Sequence, residues 1–290
     1  MRAFVSGSAG FVGRHMVAEL ELRGWEVMEN DIAHVDPHWR HDCRTVFRVA
    51  DRQYVDFDLF VHCAAVIPDR ATRDKNALSV VDNLSIDAAA AQFVLQNRPT
   101  HTVWFSSSAA YPLEGRGPFQ EGDIQLDHME RPDSMYGWGK LNGEVLVREL
   151  WGQGLDVHLF RPFSGYGTDQ SLNYPFPSFI ERAKNHEDPF TIWGDGTQVR
   201  DFVHIDDVVN AVFAVMDQDV SGPVNICTGI GTTMNHLAAM ICRAAGYLPH
   251  FEHVGKADRG VRVGDPDFLN TFYKPQISLE EGIERALKGI

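Results

Sequence analysis

The chain has 290 residues, 44% of them hydrophobic and 23% charged, the balance of a soluble globule and not of a disordered chain. Its 26 basic against 40 acidic residues give a net charge of −14, which argues against nucleic acid or an acidic membrane as partner, since either needs a basic face. No apolar run approaches about 18 residues, so no transmembrane helix is expected.

Residues 2–6 (RAFVS) read as a buried strand running into the glycine-rich GSAGFVG. Residues 12–23 have helical spacing, with Val12, Met16, Val17 and Leu20 on one side and Gly24 as the stop. Strands are expected at 25–30, near 38–42, at 58–63, at 101–106 and at 155–160, with helices at 83–97 and 138–151. The interval from Asp31 to Asp42 is too short for a full crossover helix. Strands alternating with helices imply βαβ units, hence an α/β fold with a doubly wound parallel sheet of the Rossmann type. Beyond Arg161 the pattern loses regularity and gains Pro, Gly and aromatics. The expected division is therefore a dinucleotide-binding domain over 1–162 and a smaller, interleaved substrate-binding region over 163–290.

The four cysteines (Cys43, Cys63, Cys227, Cys242) are scattered without a C-x-x-C, so neither a disulfide frame nor a zinc cluster is expected. None of the 13 histidines stands in a metal-like cluster along the chain, and no metal is predicted. The N-terminus lacks a signal-peptide core and cleavage site, and a phosphate signature from residue 7 leaves no room for a presequence. The expected compartment is the reducing cytoplasm.

Gly7, Gly10 and Gly13 follow a strand and open a helix. The first permits a tight turn, the second lets backbone approach a pyrophosphate, and the third lets helix pack on strand. The pyrophosphate then meets the free N–H groups and positive dipole of the helix start. Alone the string is equally a glycine-rich turn. Asp31, at the end of the second strand, stands where an acid accepts from the adenosine ribose and repels a 2′-phosphate, which favours NAD over NADP. Asp42 lies either near the adenine amino group or on the surface.

Tyr136 and Lys140 are four apart in SMYGWGK, so a helix puts both on one face. A phenol is a poor base at neutral pH, and a nearby cation favours its phenolate form. Alone such a pair is an ordinary helix surface pair. Ser106, Ser107 and Ser108 precede it and offer a hydroxyl.

With these motifs in order, and with HCAAV, FSSSAAYP, FRPFSGYG and WGDGTQVRDFVHIDDV following in register, the chain resembles the extended short-chain dehydrogenase/reductase family, the nucleotide-sugar epimerases and dehydratases, over nearly its whole length. The resemblance implies a catalytic set of Ser107, Tyr136 and Lys140, with a one-residue slip choosing Ser108 instead. It implies cofactor contacts at Gly7, Gly10, Phe11, Val12, Gly13, Asp31, Asp42, Cys43, Ala64, Ala65, Asn83, Ser106, Tyr136, Lys140 and Pro162. It implies substrate contacts at Ser108, Phe163, Ser164, Thr191, Trp193, Arg200 and Arg262. Arg200 matches the family's diphosphate-binding position, and a guanidinium suits that role because it binds phosphate bidentately. Arg259 competes with Arg262 for a second phosphate contact, with Arg262 preferred. Thr191 and Trp193 match the nucleobase wall, although Trp193 equally suits a core. Ser164 departs from an Asn common in the epimerases. Asp206 and Asp207 read as helix cap and first-turn charge.

Relatives that dehydrate, decarboxylate or epimerise at C3 and C5 carry a carboxylate or a cysteine just after the serine. Here those places hold Ser108 and Ala109. What remains is hydride transfer with one proton, and the expectation is an NAD-dependent epimerase of a nucleoside-diphosphate sugar acting through a transient C4 ketone. A reductase or dehydrogenase on a nucleotide-linked sugar uses the same residues. A non-catalytic dinucleotide sensor would not need them. The resemblance also implies a homodimer through the helices near 83–97 and 138–151.

Overall fold

The computed structural model describes residues 1–290 except 49–56, 68–76, 113, 116, 133, 219, 221, 257–259 and 290. The chain divides into two compact units. The first takes Met1–Pro112, Glu121–Arg161 and Val212–Val224, and the second takes Leu113–Gln120, Pro162–Ala211 and Asn225–Ile290.

In chain order the elements begin β1 (Arg2–Ser6), α1 (Phe11–Leu22), β2 (Glu26–Asn30), α2 (Cys43–Arg48), β3 (Leu59–His62), α3 (Ala77–Asn97), β4 (His101–Phe105), α4 (Met135–Gly152) and β5 (Val157–Pro162). Then come β6 (Ser164–Tyr166), α5 (Pro175–Lys184), β7 (Phe190–Trp193), β8 (Val199–His204), α6 (Ile205–Met216), β9 (Pro223–Ile226), β10 (Gly231–Thr233), α7 (Met234–Ala244), β11 (Phe251–Val254), β12 (Val261–Arg262) and α8 (Leu279–Lys288).

A six-stranded sheet runs β2-β1-β3-β4-β5-β9. The pairs β1/β2, β1/β3, β3/β4 and β4/β5 are parallel. The order reverses between β1 and β3, the switch point at which open α/β sheets bind ligands beyond the strand C-termini. Gly7 follows β1 and Cys63 follows β3 at that place. One face of the sheet is packed by aromatics: Phe4, Phe47, Phe60 and Phe93 have ring centroids 5.1–6.1 Å apart. Phe47 comes from α2 and Phe93 from α3, so these helices are held by the same cluster.

In the second unit β8 lies between β10 and β12 and also pairs with β6, while β7 pairs with β11. Its core gathers Tyr166, Phe176, Phe179, Phe190, Leu237 and Ile241. Asp207, read from sequence as a first-turn charge, is buried and braces the C-terminal segment. Its Oδ1 accepts from Tyr273 Oη at 2.6 Å and Gln276 N at 2.8 Å, and its Oδ2 from Ile277 N at 2.9 Å.

The strand expected near 38–42 does not form. Local polar groups satisfy the backbone there instead, as Asp side chains do in turns. Asp31 Oδ1 accepts from Ala33 N, Asp36 Oδ1 from His38 N, and Arg40 donates to the carbonyls of His34 and Val35. The short helix α2 follows. Helix α3 begins earlier than the periodicity suggests, and α4 begins at Met135 because Ser134 Oγ accepts from Gly137 N. Among the described residues no helix is long and apolar enough to cross a membrane. The four cysteines are free.

Candidate cofactor and catalytic site

Gly7 has φ +74°, a left-handed conformation that favours glycine, and a Cβ there would lie 2.6 Å from Ala64 N. A Cβ on Gly13 would collide with the Gly7 carbonyl oxygen. The loop after β1 is thus pressed against the backbone after β3 and against its own helix. The start of α1 is left bare: Gly10 offers no side-chain cap, and no acid stands in the first turn. Ser8 Oγ, within this loop, is buried without a hydrogen-bond partner. An uncapped helix start behind a backbone-only cradle is the donor set a pyrophosphate needs, so the residues present fit a dinucleotide. Phe11, Val12 and Gly13 form that first turn.

Asp31 follows β2 directly. Its Oδ2 accepts from Ala9 N at 3.2 Å, which places the carboxylate at the lip of the glycine loop. Asp42 is engaged by Arg44, whose guanidinium donates to both its oxygens and also reaches Asp82. The Cys43 thiol lies in the aromatic core, and burial pushes it up to about 12.

Two wall residues also make hydrogen bonds within the protein. Asn83 uses both ends of its amide on one residue, accepting from Val66 N at 2.7 Å and donating to Val66 O at 2.9 Å. It therefore fixes the segment that carries Ala64 and Ala65. Ser106 donates its hydroxyl to Glu144 Oε1 at 2.5 Å. Glu144 in turn holds Arg161 through two bonds of 2.9 and 2.7 Å, and Arg161 donates to Tyr111 Oη and to the Glu121 carbonyl. This buried, fully paired cluster joins α4 to β5 behind the serines. Nothing in local sequence points to it, because its members lie far apart along the chain.

A second buried network supports the sheet's C-terminal edge. His62, the last residue of β3, has Nδ1 2.9 Å from Ser6 Oγ and Nε2 3.0 Å from Asp87 Oδ1. A carboxylate only accepts, so Nε2 carries the proton and Ser6 donates to Nδ1. Burial holds the His62 pKa below the ordinary value, against the upward pull of Asp87. Ser6 precedes Gly7 and His62 precedes Cys63, so the network ties together the two strand ends that frame the cradle.

Ser107 caps the short 3-10 turn Ser108–Ala110, its Oγ accepting from Ala109 N at 3.1 Å. Tyr136 stands half-buried in the first turn of α4, and Lys140 lies one turn on. Lys140 Nζ is 5.7 Å from the Tyr136 ring centroid and donates to the Phe105 carbonyl at 2.8 Å. Gly137 has no room for a Cβ because the Ala109 carbonyl presses against it. That close approach seats the Tyr136 turn directly on the Ser107 turn. Ser108 and Ala109 are both buried. Pro162 ends β5 and is half-buried.

In the second unit Arg200 and Arg262 are register neighbours on β8 and β12. Arg200 donates to the carbonyls of Val199 and Gly260 and to Gln198 Oε1, so part of its guanidinium pins β8. Thr191 and Trp193 lie on β7, and Trp193 is 56% exposed, which removes the core reading. Phe163 is buried, its N–H bonded to the Ile226 carbonyl, and Ser164 begins β6 half-exposed. Arg259 lies outside the described residues. Asp201, next to Arg200, was not legible in the sequence as anything but a strand acid. It is buried and accepts from Thr228 Oγ1 and from the amides of Thr228, Gly229 and Gly264.

The model of the NAD dependent epimerase/dehydratase family matches residues 3–227. The chain belongs to this family. NAD is accordingly its cofactor, and its chemistry is that of enzymes that modify nucleotide sugars. Among curated relatives, a dTDP-4-dehydro-6-deoxy-D-allose reductase of Streptomyces bikiniensis is 27% identical over 91% of this chain and 86% of its own. A GDP-L-fucose synthase of Escherichia coli (strain K12) is 26% identical over 85% and 82%. The fold matches that of a UDP-glucose 4-epimerase of Thermotoga maritima with a TM-score of 0.85 at 24% identity, covering 99% of this chain and 98% of that one.

Proposed function

We propose that the chain is an epimerase that inverts C4 of a nucleoside-diphosphate sugar. The observation that carries this reading is the pair Ser108–Ala109 beside Ser107. Both are buried, neither bears an acid or a thiol, and the Ala109 carbonyl is closed off by Gly137. The related dehydratases, decarboxylases and 3,5-epimerases place a second acid or base there, and Ser108 and Ala109 supply none. The remaining chemistry needs one proton and one hydride.

NAD, when bound, accepts and returns the hydride. Tyr136 Oη takes the proton of the C4 hydroxyl and later gives it back, while Ser107 Oγ hydrogen-bonds the same oxygen and orders that proton. Lys140, already anchored to the Phe105 carbonyl, keeps positive charge beside the phenol and reaches the nicotinamide ribose hydroxyls. The first turn of α1 holds the pyrophosphate, and Asp31 the adenosine ribose. Arg200 and Arg262 take the nucleoside diphosphate of the substrate, with Thr191 and exposed Trp193 against the base. The enzyme works in the cytoplasm as a homodimer through α3 and α4, and α3 exposes Val81, Leu84 and Leu95 for that contact.

A second reading, reduction of a nucleotide-linked ketosugar, is favoured by the reductase among the curated relatives and uses the same three residues. Incubating purified protein with UDP-, dTDP- and GDP-sugars separates the two. The epimerase reading expects C4 epimers without added nucleotide cofactor. An absolute requirement for stoichiometric NADH or NADPH would overturn it.

A further inference from the structure

We propose a second site, for a divalent metal of the zinc class, at the opposite end of the central sheet, built from His101, Asp156 and His158. His101 opens β4, Asp156 immediately precedes β5, and His158 is its second residue. In the parallel register Thr102 sits beside Val157 and Val103 beside His158, so His101, Asp156 and His158 share one face of the two strands. Strand pairing, and not local spacing along the chain, assembles this cluster. One ligand atom from each residue lies within 4.8 Å of the others.

His158 makes this a candidate ligand set instead of an ordinary surface pair. Its side chain is 3% exposed, and neither ring nitrogen has a hydrogen-bond partner. Asp156 Oδ1 stands 3.5 Å from Nε2, too distant for a full hydrogen bond. Buried imidazoles are otherwise paired, since an unmet polar group costs free energy there. A metal ion satisfies one nitrogen by taking its lone pair, and imidazole nitrogen is a common metal ligand. Asp156 supplies the compensating negative charge and now accepts from His101 Nδ1 at 2.6 Å. His101 and Asp156 are 36% and 47% exposed, so an ion can enter and water can fill a fourth position. Two imidazoles, one carboxylate and water suit tetrahedral zinc, whose ligand atoms sit about 3.3 Å apart at the usual bond lengths.

The serines follow the far end of β4, roughly 20 Å of strand from His101. The ion therefore clamps β4 to β5 and takes no part in sugar chemistry.

Titration of the full-length protein with Co²⁺ and Zn²⁺ tests this. One equivalent of Co²⁺ is expected to give visible absorption of four-coordinate intensity, displaced by Zn²⁺, and Zn²⁺ is expected to raise the melting temperature. His101→Ala and Asp156→Asn change exposed groups and leave the fold standing. Each should weaken Co²⁺ binding at least tenfold and abolish the Zn²⁺-dependent melting shift, with epimerase activity unchanged. His158→Gln should do the same if it folds. Absence of stoichiometric binding, or equal affinity in wild type and the two exposed variants, overturns the proposal by placing any bound ion on other histidines.

Discussion

Lys140 is 8% exposed and gives one of its N–H bonds to the Phe105 carbonyl, so the ammonium is fixed in place by the protein alone. Tyr136, one turn before it, has a ring partly open to solvent. Position is thereby spent on the lysine and access on the tyrosine, which suits a phenol that exchanges a proton with substrate. Tyr136→Phe removes only that oxygen. It should lower turnover about 10²–10⁴-fold while leaving the retained cofactor and the circular dichroism spectrum intact. Unchanged turnover on every accepted sugar would exclude Tyr136 as the acid–base group. His62 carries a different prediction. It is held below its ordinary value of 6.5 by burial first, with Lys140 adding to that and Asp87 opposing it. The unfolded chain therefore binds this proton before the folded one. The stability tied to it is complete above about pH 6.5 and is lost as pH falls, by up to about 1.4 kcal/mol per pH unit until the folded site protonates. Urea unfolding at pH 5 to 8 should show that slope, and His62→Gln should flatten it. Equal slopes in the two proteins would contradict the assignment.

At the scale of elements, the glycine loop, the i,i+4 pair and most strands were legible because each is set by residues adjacent in sequence. The strand near 38–42 was misread because Asp31, Asp36 and Arg40 close local turns that a β-propensity reading does not weigh. Asn83 and Ser106 are legible as wall positions, but their hydrogen-bond partners within the protein, Val66 and Glu144, are distant in sequence. The Arg161–Glu144 pair and the His101 cluster were invisible for the same reason. The junction of α4 with the serine turn is the element contact on which the site most depends. Gly137→Ala inserts a methyl into the Ala109 carbonyl and must push the helix away. A displacement near 1 Å should cost about 10²-fold in kcat with the sheet intact. A wild-type kcat in that variant would show that the spacing of the Tyr136 and Ser107 turns is not critical.

For the whole molecule, the proposed function reconciles the net charge of −14 with a polyanionic substrate through local donors: a bare helix start, and arginines at 200 and 262. Global charge governs solubility, while a few oriented groups govern binding. The two units carry these donors on different sheets, each with its own apolar core. The proposed dimer is a prediction at this scale. Light scattering on the eluted protein should give twice the chain mass, and Val81→Asp with Leu84→Asp should shift it to the monomer. A monomeric wild type would remove the interface from the account.

The most direct test of the central claim uses a nucleotide sugar deuterated at C4. If one bound NAD removes and returns the same hydride while Tyr136 handles the proton, the C4 epimer forms without added cofactor and retains deuterium at C4. Product that has lost the label to solvent, or that forms only when labelled NADH delivers its own hydride, would contradict the account.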